Sequence, residues 1–294
     1  MLISARHYTF SQLTEAYNRT RVDYLVPMPM NEPRLREYTQ VNDVDLDYSY
    51  VSVSDNTLCG LGMLGVRKGR SWLTRLGVIP NGRRRGTGSA ITEALLEASQ
   101  LIGVQDVWLE VIKGNIPAQK LFCKYAFEEV RELVIARRPP TPDSILLNNK
   151  IQHVTYMEHN DAIYLLSQRK QRPNWLNETE SMQNVRALPV LASMGENSVR
   201  QTSRNLSAIM VELADGGQGW VSYQATFLQL TRIVVGVLAG DPTEVTAAVL
   251  QTLHQHHRRQ DAIVENLPDD EQWLGFQQAG YFETFRRIEM KRSL

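Results

Sequence analysis

Seven consecutive residues, Arg83-Arg84-Arg85-Gly86-Thr87-Gly88-Ser89, put three guanidinium groups and two glycines in front of an amphipathic stretch. That combination suits the binding of a phosphate or diphosphate. Glycine lets backbone N–H groups approach a ligand closely. A helix start presents unpaired N–H donors and the positive end of its dipole, and arginine adds charge-assisted bonds. The flanking elements are those that would hold such a cradle. Trp72 to Ile79 has β character and stops at Pro80, while Ile91, Ala94, Leu95, Ala98 and Ile102 recur at helical spacing behind the loop. A basic triplet in isolation is more often a solvated turn, so the reading depends on what else the chain carries.

The chain has 294 residues, enough for two domains. Its formal net charge is zero, which argues against broad nucleic-acid or membrane-surface binding, since both need a basic excess. Cys59 and Cys123 sit among apolar residues without framework spacing. They predict buried thiols in a reducing compartment. The opening residues MLISARHYTF hold no apolar signal-like region, and no apolar run of about 18 residues occurs. The expectation is a cytoplasmic protein without nucleic-acid or membrane partners, with a homodimer left open. His254, His256 and His257 share one predicted helix and read as its solvated end; no carboxylate or cysteine motif completes a metal site.

Taken in order, Leu2 to Tyr8 reads as a strand, and Thr9 as the cap of a helix carrying Leu13, Ala16 and Tyr17. Asp23 to Pro33 holds three prolines and reads as a shaped loop. A helix over residues 32–41 and an acidic connection from Asn42 to Asp47 follow. Tyr48 to Val53, Leu58 to Val66 and Ser71 to Ile79 then form an expected antiparallel meander, with turns at Asp55-Asn56 and Lys68-Gly69. Beyond the long helix, closed by Gly103, come a strand (Asp106 to Ile112), a helix capped by Asn115 and a strand (Phe127 to Ala136). Ala118, Leu121, Phe122 and Tyr125 form the stripe of that helix. Arg137 to Asp143, with three prolines, reads as a linker.

The second half repeats the plan: a strand (Ile151 to Glu158), helices (Asp161 to Gln171, Asn174 to Gln183), a meander (Ser207 to Ala214, Trp220 to Val237), a helix (Pro242 to His257), a strand (Asp261 to Leu267), a helix (Asp270 to Gln278) and a strand (Phe282 to Met290). Asp106 and Glu110 echo Asp261 and Glu265, and Phe122, Phe127 and Glu129 echo Phe276, Tyr281 and Glu283, all offset by 154 or 155. The pattern predicts a tandem duplication. The expected fold class is α/β, with an α+β mixed sheet in each of two domains, residues 1–138 and 150–294, joined by a linker over 139–149.

Arg83 to Gly88 matches the pattern R/Q-x-x-G-x-G/A. Leu109-Glu110-Val111, then Asn115-x-x-Ala118-x-x-Leu121-Phe122-x-Lys124-x-Ala126-Phe127, follows at the spacing of a known signature, L-E-V…N-x-x-A-x-x-L-Y-x-K-x-G-F. On these residues the first half resembles the GCN5-related N-acetyltransferases, the GNAT superfamily. The resemblance spans about residues 1–138 in element order and Trp72 to Glu129 in motif. It implies two tandem GNAT-like acyl-CoA N-acyltransferase domains, each a mixed sheet splayed between its fourth and fifth strands. It also implies acetyl-CoA (coenzyme A) as cofactor. Arg83, Arg84, Arg85, Gly86, Thr87, Gly88 and Ser89 would hold the pyrophosphate, and Leu76, Gly77 and Val78 would pair with the pantetheine arm. Asn115 and Phe122 would lie close to that arm.

The implied activity is transfer of acetyl to a primary amine of a small-molecule or peptide acceptor, directly in a ternary complex, in the N-terminal domain. Glu110, a lone carboxylate in an apolar strand, is the candidate base, acting directly or through water. A backbone N–H near Gly77 or Val78 would polarise the carbonyl. The sequence departs from the family at Phe122, where tyrosine is usual. Tyr125, three residues on, is the candidate substitute acid; the alternative is a core or surface tyrosine, and a coenzyme A thiol can leave without an acid. Asp23, Tyr24 and Met28 are candidates for the acceptor wall, where they would select a cationic amine; the alternative is a packed connector. In the second half, Asp241, Pro242 and Glu244 read as a capping box that sets negative charge where a diphosphate would sit, so this half is expected not to bind acetyl-CoA. The alternative function is a non-catalytic acyl-CoA-binding or assembly protein that keeps the fold.

Overall fold

Thr9 starts the first helix by a reciprocal cap: its hydroxyl accepts from Gln12 N at 3.2 Å while Gln12 Oε1 accepts from Thr9 N at 2.9 Å. The same economy of caps and glycine stops sets most boundaries in this computed structural model, which describes residues 1–54, 57–83, 85–141, 148–187 and 205–294. The order is β1 (Leu2–Ser4), α1 (Phe10–Arg19), α2 (Glu32–Val41), β2 (Val44–Ser54), β3 (Thr57–Arg67), β4 (Arg70–Val78), α3 (Thr87–Ile102), β5 (Asp106–Ile112), α4 (Ile116–Lys124) and β6 (Glu128–Arg138). It then repeats as β7 (Ile151–Met157), α5 (His159–Ser167), α6 (Thr179–Ala187), β8 (Ser207–Leu213), β9 (Gln218–Ala225), β10 (Gln229–Ala239), α7 (Pro242–His256), β11 (Asp261–Pro268), α8 (Glu271–Gln278) and β12 (Phe282–Ser293).

These elements form two compact units, one of Met1–Arg131 with Ile288–Leu294, the other of Glu132–Arg287. β6 and β12 are thus each divided between the units. In the first, β1 to β4 form an antiparallel run, and β5 joins β4 in parallel. The β12 segment from Ile288 comes next to β5, with the start of β6 beyond it. The β4–β5 pairing covers only Arg70 to Leu73 against Asp106 to Leu109, so the two strands separate beyond that point. α3 covers one face with Ile91, Leu95 and Ala98, which are buried with Leu73, Leu109, Phe122, Phe127, Ile288 and Met290. α1 and α2 cover the other with Leu13, Tyr17 and Leu35 against Leu61 and Met63. Gly62 makes the approach of α3 possible, because a Cβ there would overlap Ile91. Each fully buried aliphatic side chain in these clusters contributes about 1.5–3 kcal/mol.

The second unit repeats this arrangement. β7 to β10 are antiparallel, β10 pairs in parallel with β11 only at Gln229 and Leu230, and β6 from Glu132 on pairs with β11. Even a strained position is repeated: Arg75 in β4 and Arg232 in β10 both have φ near +53°, each beside a register shift against the preceding strand.

Several boundaries differ from the sequence expectations. The first strand stops at Ser4 instead of running to Tyr8, because Ser4 Oγ accepts from Arg6 N and a 3-10 turn follows over Ala5–His7. The acidic stretch Asn42 to Asp47 is mostly strand. A bulge absorbs it, with Ser49 Oγ donating to Asp45 O and Asp47 N donating to Asp45 Oδ1. Arg137 and Arg138 belong to β6 and not to a linker: Arg137 pairs with Asp261 at 2.6 Å, and buried Arg138 donates to Ala279 O. The helix expected from Asn174 starts at Thr179, because Asn174 is committed elsewhere: its amide donates to Asn266 O and accepts from Asn266 Nδ2. The run Trp220 to Val237 is two strands, turned at Thr226. Cys123 is exposed and Cys59 partly so. His254 is not a solvated helix end but fully buried, bonded to Tyr281. The turn at Asp55-Asn56, Arg84, and the linker from Pro142 lie outside the described residues.

Candidate active site

The basic loop meets its helix as the spacing predicts. The strand ends at Val78, a 3-10 turn covers Pro80–Gly82, and Gly86 takes up the left-handed conformation (φ +80°) directly before α3. Among the described residues, apart from its chain neighbours, nothing lies within 4 Å of the place a Gly86 Cβ would occupy. Among the described residues no side chain caps α3, and no acidic residue stands in its first turn. The N–H groups of Thr87, Gly88 and Ser89 therefore start the helix without a side-chain acceptor, at the positive end of its dipole. Thr87 Oγ1 faces back to Gly82 O at 3.3 Å. Arg85 is exposed beside this start.

Arg83 points elsewhere. Its guanidinium forms a two-pronged pair with Asp23, at 2.6 and 2.7 Å, and its Nε donates to Val78 O. Two residues assigned from sequence to different ligands thus meet each other. The Arg83 hydrogen bonds hold the Asp23 carboxyl below the usual carboxylate range. Tyr24 lies under the Arg21 guanidinium at 4.4 Å, and Met28 O accepts from Tyr17 Oη. Both belong to the proline-rich loop, whose backbone Asn18 ties to α1 through Met30.

Beyond Leu73 the free edge of β4 carries Arg75 to Val78. Arg21 Nη2 donates to Leu76 O at 2.8 Å, while Gly77 packs so closely on Thr20 and Arg21 that a Cβ would overlap both. Glu110 is the first residue of β5 past the paired stretch. Its Oε2 accepts from the indole Nε1 of Trp72 at 3.0 Å, and Trp72 is buried. Tyr38 continues this wall: its ring lies 6.1 Å from Trp72, its hydroxyl meets Thr74 Oγ1 at 2.6 Å, and Arg75 stacks on it at 3.9 Å.

α4 places the remaining candidates. Asn115 caps the helix by accepting from Ala118 N at 3.4 Å. Phe122 is buried and meets Phe127 edge-on. Tyr125 stands just past the helix end, where its hydroxyl donates to Glu93 at 2.6 Å and approaches Ser89 O at 3.4 Å. The tyrosine is thus tied to the first turns of α3.

Sequence reasoning missed Trp72, Tyr38, Arg75 and Arg21. One signal was present. Thr74-Arg75-Leu76 and Thr231-Arg232-Ile233 occupy the same place in the fourth strands of the two halves, which marks the shared bulge.

The second unit closes the equivalent place with its own groups. Asp241 caps α7, accepting from Glu244 N at 2.8 Å. Lys150 binds both Glu244 and Asp215, which drives its ammonium pKa up. α8 packs onto α7 through Gly275, where a Cβ would come within 2.6 Å of Thr243 O. Leu121 stands at the matching position of α4, 154 residues earlier, and approaches Gly88 only with the end of its side chain.

A splayed mixed sheet with an uncapped, glycine-led helix at its opening defines an acyl-CoA N-acyltransferase fold. Residues 11–127 match the profile of the Acetyltransferase (GNAT) family. In structure, the chain is similar to a GCN5-related N-acetyltransferase from Sphaerobacter thermophilus (15% identity, 97% of this chain and 92% of that one, TM-score 0.67). It is similar, too, to a tandem GNAT protein from the clavulanic acid biosynthesis pathway (12% identity, 100% and 97%, TM-score 0.63). A third likeness is to a GCN5-related N-acetyltransferase from Kribbella flavida (16% identity, 100% and 71%, TM-score 0.56). No protein of curated function matches the chain in sequence. The family match is thus confined to residues 11–127, and the chain as a whole has the tandem form of the GNAT fold. No helix among the described residues is long and apolar enough to cross a membrane, and among them no cluster of His, Cys, Asp or Glu could hold a metal ion.

Proposed function

We propose that the chain is an acetyl-CoA-dependent N-acetyltransferase whose active site lies in the first unit and whose second unit binds no acetyl-CoA. The observation that carries this reading is the start of α3: uncapped, led by left-handed Gly86, flanked by exposed Arg85, and set beside the unpaired edge of β4. Such a start fits a diphosphate. Thr87, Gly88 and Ser89 would hold it by backbone N–H groups, with Arg85 adding charge. Arg83 joins them once its pair with Asp23 opens. Leu76 to Val78 would line the pantetheine arm, with Asn115 and Phe122 on the α4 side.

Bound acetyl-CoA supplies the activated acetyl group as a thioester. The chain's own residues do the rest. An acceptor ammonium has a pKa near 10 and must lose a proton before it can attack. Glu110 takes that proton, directly or through a water, from a carboxylate fixed by the Trp72 indole. The backbone N–H groups around Gly77 and Val78 donate toward the oxygen on which charge develops. Asp23 and Met28 sit on the loop that borders this end of β4.

The test is thiol release from acetyl-CoA over a panel of amines, with Glu110→Gln alongside. Turnover that Glu110→Gln leaves unchanged removes Glu110 as the base. A second reading, a non-catalytic acyl-CoA-binding protein, draws on one observation. Phe122 has no proton to give, and the Tyr125 hydroxyl is already given to Glu93. That reading predicts tight acetyl-CoA binding with no amine-dependent thiol release.

A further inference from the structure

Arg21 is a cation whose partners, among the described residues, include no carboxylate. It projects from the end of α1 over the unpaired edge of β4, where Nη2 donates to Leu76 O and Nη1 to Thr20 Oγ1. The rings of Tyr24 (4.4 Å) and Tyr17 (5.1 Å) flank its guanidinium. Burial, reinforced by the like charge of Arg75, pulls its pKa down. The nearest carboxylate on the same loop, Asp23, is spent on Arg83. A partly buried guanidinium held only by neutral acceptors and aromatic faces is a costly arrangement. Its planar fork suits a carboxylate.

The position of this group matters as much as its charge. Gly77 leaves room for Thr20 and Arg21 against β4, at the stretch where the strand has parted from β5. Glu110 lies across that opening at the first unpaired residue of β5. A molecule with an amine near Glu110 and an anionic group toward Arg21 meets both ends of the wall formed by Trp72, Tyr38 and Tyr17.

We infer that the acceptor is an amine that also carries a carboxylate, of amino-acid type, and that Arg21 is the residue that selects it. This deepens the acetyltransferase reading and rests on it. It replaces Asp23 as the charge that chooses the acceptor, and it reverses the sign of the group chosen.

The experiment uses the full chain and matched acceptors: amino acids, their carboxamides and their decarboxylated amines. Thiol release gives kcat and KM for each. A charged hydrogen-bonded pair predicts a kcat/KM advantage of roughly 10- to 150-fold for the free carboxylate. Arg21→Gln removes that advantage, raising KM for the amino acid by a larger factor than for its carboxamide; Arg21→Lys restores part of it. Equal or better use of carboxamides by the wild type overturns the inference. So does a uniform fall in kcat for all three acceptors in Arg21→Gln, which would make Arg21 a group that acts on the thioester or holds β4. If no amine is turned over, the acetyltransferase reading fails by itself. Calorimetric binding of the same ligands to the CoA-saturated protein then decides the inference: preference for the carboxylate, lost in Arg21→Gln, supports it, and no preference overturns it.

Discussion

Glu110 stands one residue past the point where β5 parts from β4, and the indole N–H of Trp72 holds its carboxylate. On the proposed mechanism, Glu110→Gln lowers kcat roughly 10²- to 10⁴-fold while acetyl-CoA affinity is retained, read by steady-state kinetics and calorimetry. Trp72→Phe keeps the packing and loses the donor, so its effect falls on kcat and its pH profile more than on KM. Arg83 and Asp23 form the second residue-scale device. Asp23→Asn releases the guanidinium, and acetyl-CoA binding tightens several-fold. Because Arg83 depresses the Asp23 pKa, the pair is complete above the ordinary carboxylate range and is lost only as pH falls through the lowered value. Across neutral pH it gives no titration. His254 is shifted in the same direction, but from an unfolded value near neutrality. Burial holds its pKa at about 2, so the folded chain binds one proton fewer than the unfolded chain below pH 6.5. Stability therefore falls as pH drops from 6.5, by up to about 1.4 kcal/mol per pH unit from this group. The stability difference between wild type and His254→Gln should shrink from pH 7 to pH 5 in denaturant melts.

Among elements, the contrast between α3 and α7 separates the two units. Both follow a strand with the same left-handed bulge, Arg75 in one and Arg232 in the other. α3 starts without a cap, whereas α7 is closed by Asp241, by Lys150 bridging Glu244, and by α8 packed on it at Gly275. Asp241→Ala costs about 1 kcal/mol of stability and creates no acetyl-CoA site, because α8 still lies against the helix; a thermal melt with and without acetyl-CoA checks both halves of this. The local signals at these places were readable from sequence because they are short-range. Asp241-Pro242-Thr243-Glu244 specifies its own cap, and Arg83 to Ser89 specifies a strand-to-helix turn within a few residues. The chain order of both halves was readable for the same reason. What sequence did not reveal depends on distant partners. Asp23 meets Arg83 sixty positions away, Asn174 leaves its helix for Asn266, and Arg137 leaves the linker for Asp261. Periodicity holds no information about such pairs.

At the scale of the whole molecule, the sequence suggests halves cut at the proline-rich stretch, while the compact units divide within β6 and β12. The first unit includes Ile288 and Met290, buried with Leu109 and Phe127, and Glu289, which pairs with Arg131 at 2.6 Å. Truncation after Arg287 should therefore destabilise the first unit and weaken acetyl-CoA binding, although every residue of the candidate site remains; hydrogen exchange over β5 would report it. The chain carries two copies of the fold and, on this account, one working cradle. Calorimetric titration of the full chain with acetyl-CoA tests that most directly. The account predicts one site per chain, weakened at least tenfold by Gly86→Val and unchanged by Asp241→Ala. Two sites per chain, or one site that ignores Gly86→Val and responds to Asp241→Ala, would contradict it.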